Sequence, residues 1–218
     1  KINEKKYGSI VISNEQTNGY GKKNREFISN KDKGIYMSIL INPNCLIEDS
    51  LKITILTSVA VLSAIKSICN LDVKLKWVND IILNDLKVGG ILCESQIKLN
   101  TNIIDNMIVG IGINVKECNF PPSLKNIATS IENNTNTKIS RNKLISEIIN
   151  FFDLYFIDKE NYIDIYKENS YVLGKDITVI QNDRQFYAKA LDIDDNGALI
   201  VQEQEKIIKL ISSDISIR

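Results

Sequence analysis

The segment 74–97, KLKWVNDIILNDLKVGGILCESQI, joins several strand patterns through very short polar pairs. Apolar residues alternate with lysines over 73–77, which is the period of two of a half-buried strand. A short apolar run follows, the turn pair 84–85 ends it, and a longer apolar run extends over 87–97. Because the connections are so short, the consecutive strands must pair with each other, and the pattern predicts a hairpin.

The predicted hairpin brings two polar groups together. Lys76 lies with Asn79 and Asp80 on one arm, and Lys87 lies with Gly90 on the other. A cation beside bare backbone indicates an anion site. The alternative is that the lysines are solvated strand positions and the glycines form a structural bulge.

Composition removes several kinds of catalysis. The chain has no histidine, which excludes serine-histidine triads, histidine-activated cysteines and histidine zinc motifs. Lysine and arginine balance aspartate and glutamate at 27 each, so the overall charge gives no argument for nucleic-acid binding. The four cysteines lack a Cys-x-x-Cys spacing, which predicts buried free thiols. No uninterrupted apolar run approaches the length of a membrane span, so we expect a cytoplasmic protein.

A second polar segment, 15–28, follows a short strand pattern over 9–14 and contains closely spaced glycines and cations. Glycines allow close approach to the backbone, and cations such as Lys22 and Arg25 can neutralise phosphate. The Gly-x-Gly sequence here does not fit a dinucleotide fingerprint, because Asn24 replaces the third glycine and no amphipathic helix follows. A solvated basic loop is the alternative.

The buried strand pattern 106–115 contains Gly110 and Gly112. Residues two apart in a strand face the same side, and glycine inside a strand marks close approach by a ligand or another backbone. The pair therefore predicts a smooth trough for a flat, apolar ligand.

Helical periodicity is strongest over 48–70, where apolar residues recur every three or four positions after a cap at Asp49 or Ser50. A strand over 34–42 precedes it. Two more helices are predicted, over 140–158 with Ser140 as cap and over 161–169.

The pattern changes from residue 172 onward. Short alternating strands are separated by turn residues, as is typical of a small barrel. The predicted strands are 177–180, 185–193, 198–202 and 206–211, with turns at 182–183 and 195–197. The predicted fold class is α+β: a mixed β-sheet catalytic domain with packed helices over 1–171, followed by a small SH3-like β-barrel over 172–218.

Four ordered segments, EQTNGYGKKNREF, KWVND, KVGGIL and VGIGINV, resemble the catalytic domain of biotin protein ligases, and the tail with its DNGAL turn resembles that family's C-terminal domain. The resemblance covers nearly the whole chain. It implies an enzyme that joins biotin to ATP as biotinyl-5'-adenylate and transfers biotin to a lysine of a biotin carboxyl carrier protein domain.

The resemblance also assigns residues. It places Lys87 on the biotin carboxylate and makes Lys87, Lys22 and Arg25 the catalytic cations. Biotin and adenylate contacts fall to Gln16, Gly19, Tyr20, Gly21 and Lys22. The biotin pocket is lined by Gly90, Gly110 and Gly112, and the nucleotide with its Mg²⁺ is surrounded by Arg25, Phe27, Asn79, Asp80 and Asn114, with Asp80 as the metal ligand.

The chain departs from the family at Tyr20 and Lys22, where arginine is usual, and at Asn24, Phe27 and Val78, where glycine, tryptophan and proline are usual. Lysine cannot reproduce the bidentate hold of arginine on phosphate, so we expect a looser grip on the adenylate. The family's Ser-Thr-Asn segment would lie before the first residue, and no DNA-binding helix-turn-helix is seen. An exposed edge strand would allow a homodimer.

Two other functions stay open. A lipoate or octanoate transferase shares the fold of the family, although the basic Gly-x-Gly loop and KWVND favour biotin. A non-catalytic module that kept a biotin or nucleotide pocket is the second, and the replacements at Tyr20 and Lys22 give it weight.

Overall fold

The computed structural model describes residues 7–157, 161–181 and 184–217, arranged as two antiparallel sheets and three helices. The predicted α+β class is confirmed. The predicted end of one helix near Asp158 and the turn at Asn182-Asp183 lie outside the described residues.

The larger sheet contains the predicted hairpin as a meander of three strands. Its strands are β1 (Ile10–Ser13), β2 (Gly34–Ile41), β3 (Cys45–Leu46), β4 (Lys74–Lys76), β5 (Asp80–Leu83), β6 (Leu86–Ile97) and β7 (Ile103–Asn114). The order is β1-β2-β7-β6-β5-β4, with β3 on β7. We predicted a mixed sheet, but every ladder between these strands is antiparallel, and parallel pairing is confined to isolated bridges such as Lys87 with Ala128.

Three helices cover this sheet. They are α1 (Ser50–Cys69), α2 (Arg141–Ile157) and α3 (Tyr162–Glu168). Helix α1 is buried along most of its length, between α2, α3 and the sheet. Ser140 caps α2 as predicted, since the Lys143 N–H donates to its hydroxyl at 3.4 Å.

The start of α1 differs from the prediction. The residues before Ser50 form a turn of 3-10 helix rather than the first turn of α1, and neither predicted cap accepts a backbone hydrogen bond. The Ser50 hydroxyl donates to the Ile47 carbonyl, and the Asp49 carboxylate binds Lys52 at 2.9 Å. With its preceding turn, 47–69, the helix is long and apolar enough to cross a membrane, but 61% of its most apolar window is buried inside the protein, as in the core helix of a globular protein.

The second sheet follows the predicted change of pattern. Its strands are β8 (Asp176–Gln181), β9 (Arg184–Ile193), β10 (Leu199–Glu203), β11 (Lys206–Leu210) and β12 (Asp214–Ile217), in the order β11-β10-β9-β8-β12. Strand β12 was not predicted, because it is only four residues long and follows polar residues. This short strand places Asp214 opposite Ile180, at one edge of the sheet.

The two sheets share one hydrophobic core. The indole N–H of Trp77, after β4, donates to the Gly197 carbonyl in the turn before β10 at 3.0 Å. Gly197 has φ of +83°, and a Cβ there would lie 2.8 Å from Ile55 Cγ1 of α1. The turn therefore needs glycine both for its backbone conformation and for its contact with α1.

All four cysteines are free. The prediction of free thiols is therefore confirmed, but each is half-buried rather than fully buried. Burial raises the pKa of Cys69 and of Cys93 to about 11, so both thiols are protonated at neutral pH.

Candidate active site

A cavity of about 330 Å³ lies between the large sheet, the loop 16–27 and residues 213–215 of the second sheet. This volume is within the usual range of small-molecule sites. Most of the predicted site residues line it, namely Gln16, Tyr20, Gly21, Lys22, Arg25, Phe27, Asn79, Asp80, Lys87, Gly90, Gly110 and Gly112. Two do not: Gly19 lines a neighbouring depression, and Asn114 donates its side-chain N–H to the Thr129 carbonyl.

Lys87 and Asp80 form the central ion pair of this cavity. Strands β5 and β6 pair Asp80 with Gly90, and a register shift between Ile81 and Ile82 alters the spacing along the hairpin. Lys87 Nζ lies 2.5 Å from Asp80 Oδ1 and 3.2 Å from where a Gly90 Cβ would stand. Glycine at 90 therefore leaves the space that the lysine side chain crosses.

The segment between β4 and β5 is held from two sides. The Asn79 side chain donates to the Ile91 carbonyl at 2.9 Å, and the Ile91 N–H donates to the Asn79 carbonyl at 2.8 Å. From α3, the buried Tyr166 hydroxyl donates to the Val78 carbonyl at 3.3 Å. The Asn79 amide thus fixes the position of Asp80 in the structure, a role that the sequence analysis did not anticipate.

Gly110 and Gly112 both line the cavity from β7, opposite Leu92 and Gly90 of β6. The ring of Phe27 lies against Gly112, and a Cβ at Gly112 would be 2.8 Å from Phe27 Cζ. That ring also meets Tyr36 edge to face, with centroids 6.4 Å apart. One end of the predicted trough is therefore covered by an aromatic side chain.

The loop over the cavity has its own hydrogen bonds. The backbones of Tyr20 and Glu26 form an isolated antiparallel β-bridge, and the Phe27 N–H donates to the Gly19 carbonyl at 2.9 Å. At its tip, the Tyr20 hydroxyl contacts both oxygens of Glu94 at 3.2 Å, and the negative charge of Glu94 raises the pKa of Tyr20. Tyr20 thus ties the loop to β6 as a neutral donor.

The cations of the loop meet a single carboxylate. Asp214 lies 2.8 Å from Arg25, 3.0 Å from Lys23 and 3.9 Å from Lys22, and the Lys22 ammonium also donates to the Ser213 carbonyl at 2.9 Å. Burial lowers the pKa of Lys22, and the charge of Asp214 partly offsets this. Burial alone would raise the pKa of Asp214, but the hydrogen bond from Lys23 and the charges of Arg25, Lys22 and Lys23 bring it below its usual value.

Outside the cavity, a buried carboxylate anchors the segment after β7. Glu132 accepts from the Lys116 ammonium at 2.9 Å, from the Ile139 N–H at 2.8 Å and from the Glu117 N–H at 3.3 Å. Burial alone would raise its pKa, but these hydrogen bonds outweigh burial and lower the pKa to about 2. The same segment contains Thr129, whose carbonyl holds Asn114.

Several cavity residues were not predicted, and Glu94 and Asp214 show two different reasons. Glu94 shares a face with Gly90 because they are four residues apart on β6, so strand periodicity could have found it. Asp214 had no local signal, since it comes from a strand that the pattern did not reveal.

A protein-only metal site is not formed within 7–157, 161–181 and 184–217, where no three Cys, Asp or Glu side chains converge as ligands. Mg²⁺ is commonly held by one or two carboxylates together with substrate phosphates and water. Asp80, one of four carboxylates that line the cavity together with four cations, fits that second arrangement.

The fold and cavity define a two-sheet α+β protein with a ligand-sized cavity lined by equal numbers of cations and carboxylates. The chain belongs to the biotin/lipoate A/B protein ligase family, whose model matches residues 1–114. The model of the biotin protein ligase C terminal domain matches residues 172–218.

Individual relatives agree with this membership. The bifunctional ligase/repressor BirA of Bacillus spizizenii is 35% identical over 218 residues, which are 96% of this chain and 66% of that protein. Biotin–protein ligase 2 of Arabidopsis thaliana is 30% identical over 68% of this chain and 46% of its own length. The chain therefore spans just under two thirds of the Bacillus relative.

The fold has a counterpart of known structure. Biotin protein ligase from Aquifex aeolicus, solved in complex with biotin and ATP, superposes with a TM-score of 0.82 at 23% identity, over 99% of this chain and 91% of that one.

Proposed function

We propose that this protein is a biotin protein ligase, which activates biotin with ATP as biotinyl-5'-adenylate and transfers it to a lysine of a biotin carboxyl carrier protein domain. The observation that carries the proposal is the Lys87–Asp80 pair beside Gly90, Gly110 and Gly112 in one cavity. It puts a cation next to a glycine-lined surface, as the carboxylate and the flat bicyclic ring of biotin require.

The first step needs charge compensation more than proton transfer. A carboxylate is ionised at neutral pH, so it can attack the α-phosphate of ATP and displace pyrophosphate without a general base. The two reacting groups are both anions, and fixed cations offset their repulsion and the charge that develops on phosphate. In this proposal Lys87 binds the biotin carboxylate, while Lys22 and Arg25 face the phosphates.

Mg²⁺ would be held by Asp80 together with the phosphates, and it would offset phosphate charge. Asp80 already orients Lys87, so the same carboxylate would fix the distance between the two cations. Gln16, Gly19, Tyr20 and Gly21 would enclose the ligand from the loop, and Asn79 and Asn114 would act by holding backbone next to it.

The second sheet favours biotin over lipoate or octanoate. The model that matches residues 172–218 is that of the biotin protein ligase C terminal domain, and those residues supply one wall of the cavity. We propose residue 172 as the start of that domain. A cytoplasmic location, independence from nucleic acid and membranes, and a homodimer stay predictions.

The test is biotin-dependent exchange of pyrophosphate into ATP with Mg²⁺, comparing the parent with Lys87→Met. A preorganised cation contributes about 3 to 4 kcal/mol to a transition state, so we expect exchange to fall about 100- to 1000-fold. Lys74→Met is the matched control, because Lys74 lies on β4, two strands from Lys87 in the same sheet, and pairs with Asp72 outside the cavity.

The competing functions give different results in the same assay. Exchange driven by lipoate or octanoate but not by biotin would indicate the lipoate or octanoate relative, acting through an acyl-adenylate. Biotin binding without any exchange would indicate the non-catalytic module, and equal exchange in the parent and Lys87→Met would remove Lys87 from the reaction.

A further inference from the structure

The basic loop, defined here as Lys22, Lys23 and Arg25, is already neutralised in part by the second sheet. Its three side chains converge on Asp214 within 3.9 Å, and no other carboxylate of the described residues forms an ion pair with any of them. The Asp214 side chain is only 19% exposed, whereas those of Lys23 and Arg25 are 59% and 71% exposed. The carboxylate is thus the fixed partner, and the exposed cations turn toward it.

The contact between Asp214 and the basic loop affects the charge balance of the whole cavity. Among the described residues that line the cavity, four are cations and four are carboxylates, so their formal charges cancel. A cavity without net charge has no long-range attraction for a polyanion. Its cations can bind phosphate only after their ion pairs with the carboxylates break. Two carboxylates of the cavity have described ion pairs. Asp214 pairs with three cations in and beside the cavity, whereas Asp80 pairs with one, Lys87.

We propose that Asp214 is a positioning residue that occupies the basic loop in place of phosphate and is displaced by the triphosphate of ATP. The inference rests on the proposed function, and it assigns the second sheet a part in binding the nucleotide. Phosphate oxygens carry more charge than one carboxylate and offer more acceptors, so the three cations exchange Asp214 for the nucleotide. Asp214 therefore lowers the affinity for ATP while it holds the loop in place beforehand.

The contact has a second component that phosphate does not remove. The Lys22 ammonium donates to the Ser213 carbonyl, a backbone group of the second sheet. When the exposed tips of Lys23 and Arg25 leave Asp214, Lys22 still connects the loop to residue 213. The exchange is therefore a local change of partners and leaves the two sheets packed together.

The test compares the parent with Asp214→Asn, which removes the charge and keeps the shape of the side chain. Binding of an ATP analogue with a methylene bridge between the α- and β-phosphates is measured by calorimetry with saturating biotin and Mg²⁺. We expect Asp214→Asn to bind the analogue about fivefold more tightly, because competing exposed or half-exposed ion pairs contribute up to about 1 kcal/mol. Structural damage would change the affinity in the opposite direction.

Two further variants serve as controls. Asp214→Glu retains the charge and should bind the analogue within about twofold of the parent. Asp176→Asn makes the same change of charge on the same sheet. Asp176 lies outside the cavity, four residues along β8 from Ile180, the strand partner of Asp214, so this variant should leave the affinity unchanged. Equal or weaker analogue binding by Asp214→Asn would overturn the inference.

A titration with inorganic tripolyphosphate separates this inference from the proposed function. If the parent fails to bind the ATP analogue, the ligase assignment fails, but tighter tripolyphosphate binding by Asp214→Asn still supports the role of Asp214 as a competing anion. If tripolyphosphate binds the variant no better than the parent, or binds neither, the inference is wrong.

Discussion

Replacing Glu132 by Gln should remove a pH-dependent contribution to stability. The Glu132 side chain is 3% exposed, and its carboxylate accepts hydrogen bonds from Lys116 and from two backbone N–H groups. Gln keeps the shape of the side chain but cannot carry its charge. The segment after β7 that Glu132 anchors, which also contains Thr129, would lose the ion pair with Lys116.

The magnitude follows from the pKa. The pKa of Glu132 falls from its ordinary value of 4.5 to about 2 on folding. Each pH unit corresponds to about 1.4 kcal/mol, so the ionised carboxylate stabilises the folded state by about 3 kcal/mol. Because the folded-state pKa is the lower one, this stability is present above pH 4.5 and is lost as the pH falls toward about 2.

Urea unfolding of the parent and Glu132→Gln from about pH 7 to about pH 3 measures this difference. We expect the parent to be more stable by about 3 kcal/mol at pH 7 and by about half of that near pH 3. Glu117→Gln is the control, because that side chain is 74% exposed and, among the described residues, its ion pair is with an equally exposed lysine. A difference between the parent and Glu132→Gln that stays constant over the whole pH range would refute the argument.

Three other changes test other parts of the structure. Gly112→Ala should weaken biotin binding about tenfold in a calorimetric titration, because its Cβ would lie 2.8 Å from Phe27 Cζ. Gly110→Ala should weaken binding less, because its nearest contact is a backbone oxygen at 3.3 Å, and equal losses in the two variants would contradict the packing argument. Lys22→Arg should slow release of biotinyl-adenylate in single-turnover assays, because arginine binds phosphate bidentately, and an unchanged release rate would count against that view. Trp77→Phe should lower the free energy of unfolding by about 1 to 3 kcal/mol, because a buried carbonyl loses its donor; a loss below about 0.5 kcal/mol would show that the bond is dispensable.

Local patterns predicted most elements of the fold. The meander over 74–97 and the helix α1 were predicted because side-chain periodicity and turn residues act over a few positions. The pairing of Gly34 with Asn114, which places β7 at the centre of the large sheet, was not predicted. Such a pairing depends on which apolar faces meet after the chain has travelled 80 residues, and no local pattern specifies it.

The candidate site shows the same division. The same-face rule placed Gly110 and Gly112 together, and it would also have placed Glu94 with Gly90 if it had been applied along β6. Asp214 could not be found in this way, because nothing in a short polar segment marks a carboxylate as the partner of a loop 189 residues earlier.

The indole of Trp77 gives the protein an internal reporter. It is the only tryptophan in the chain, it is 3% exposed, and it lies two residues before Asn79 with its N–H bonded to the second sheet. Intrinsic tryptophan emission therefore comes from one position, where both sheets and the floor of the cavity meet. A shift of that emission would signal solvent entering this junction, so dye-free fluorescence can follow both ligand binding and separation of the two sheets.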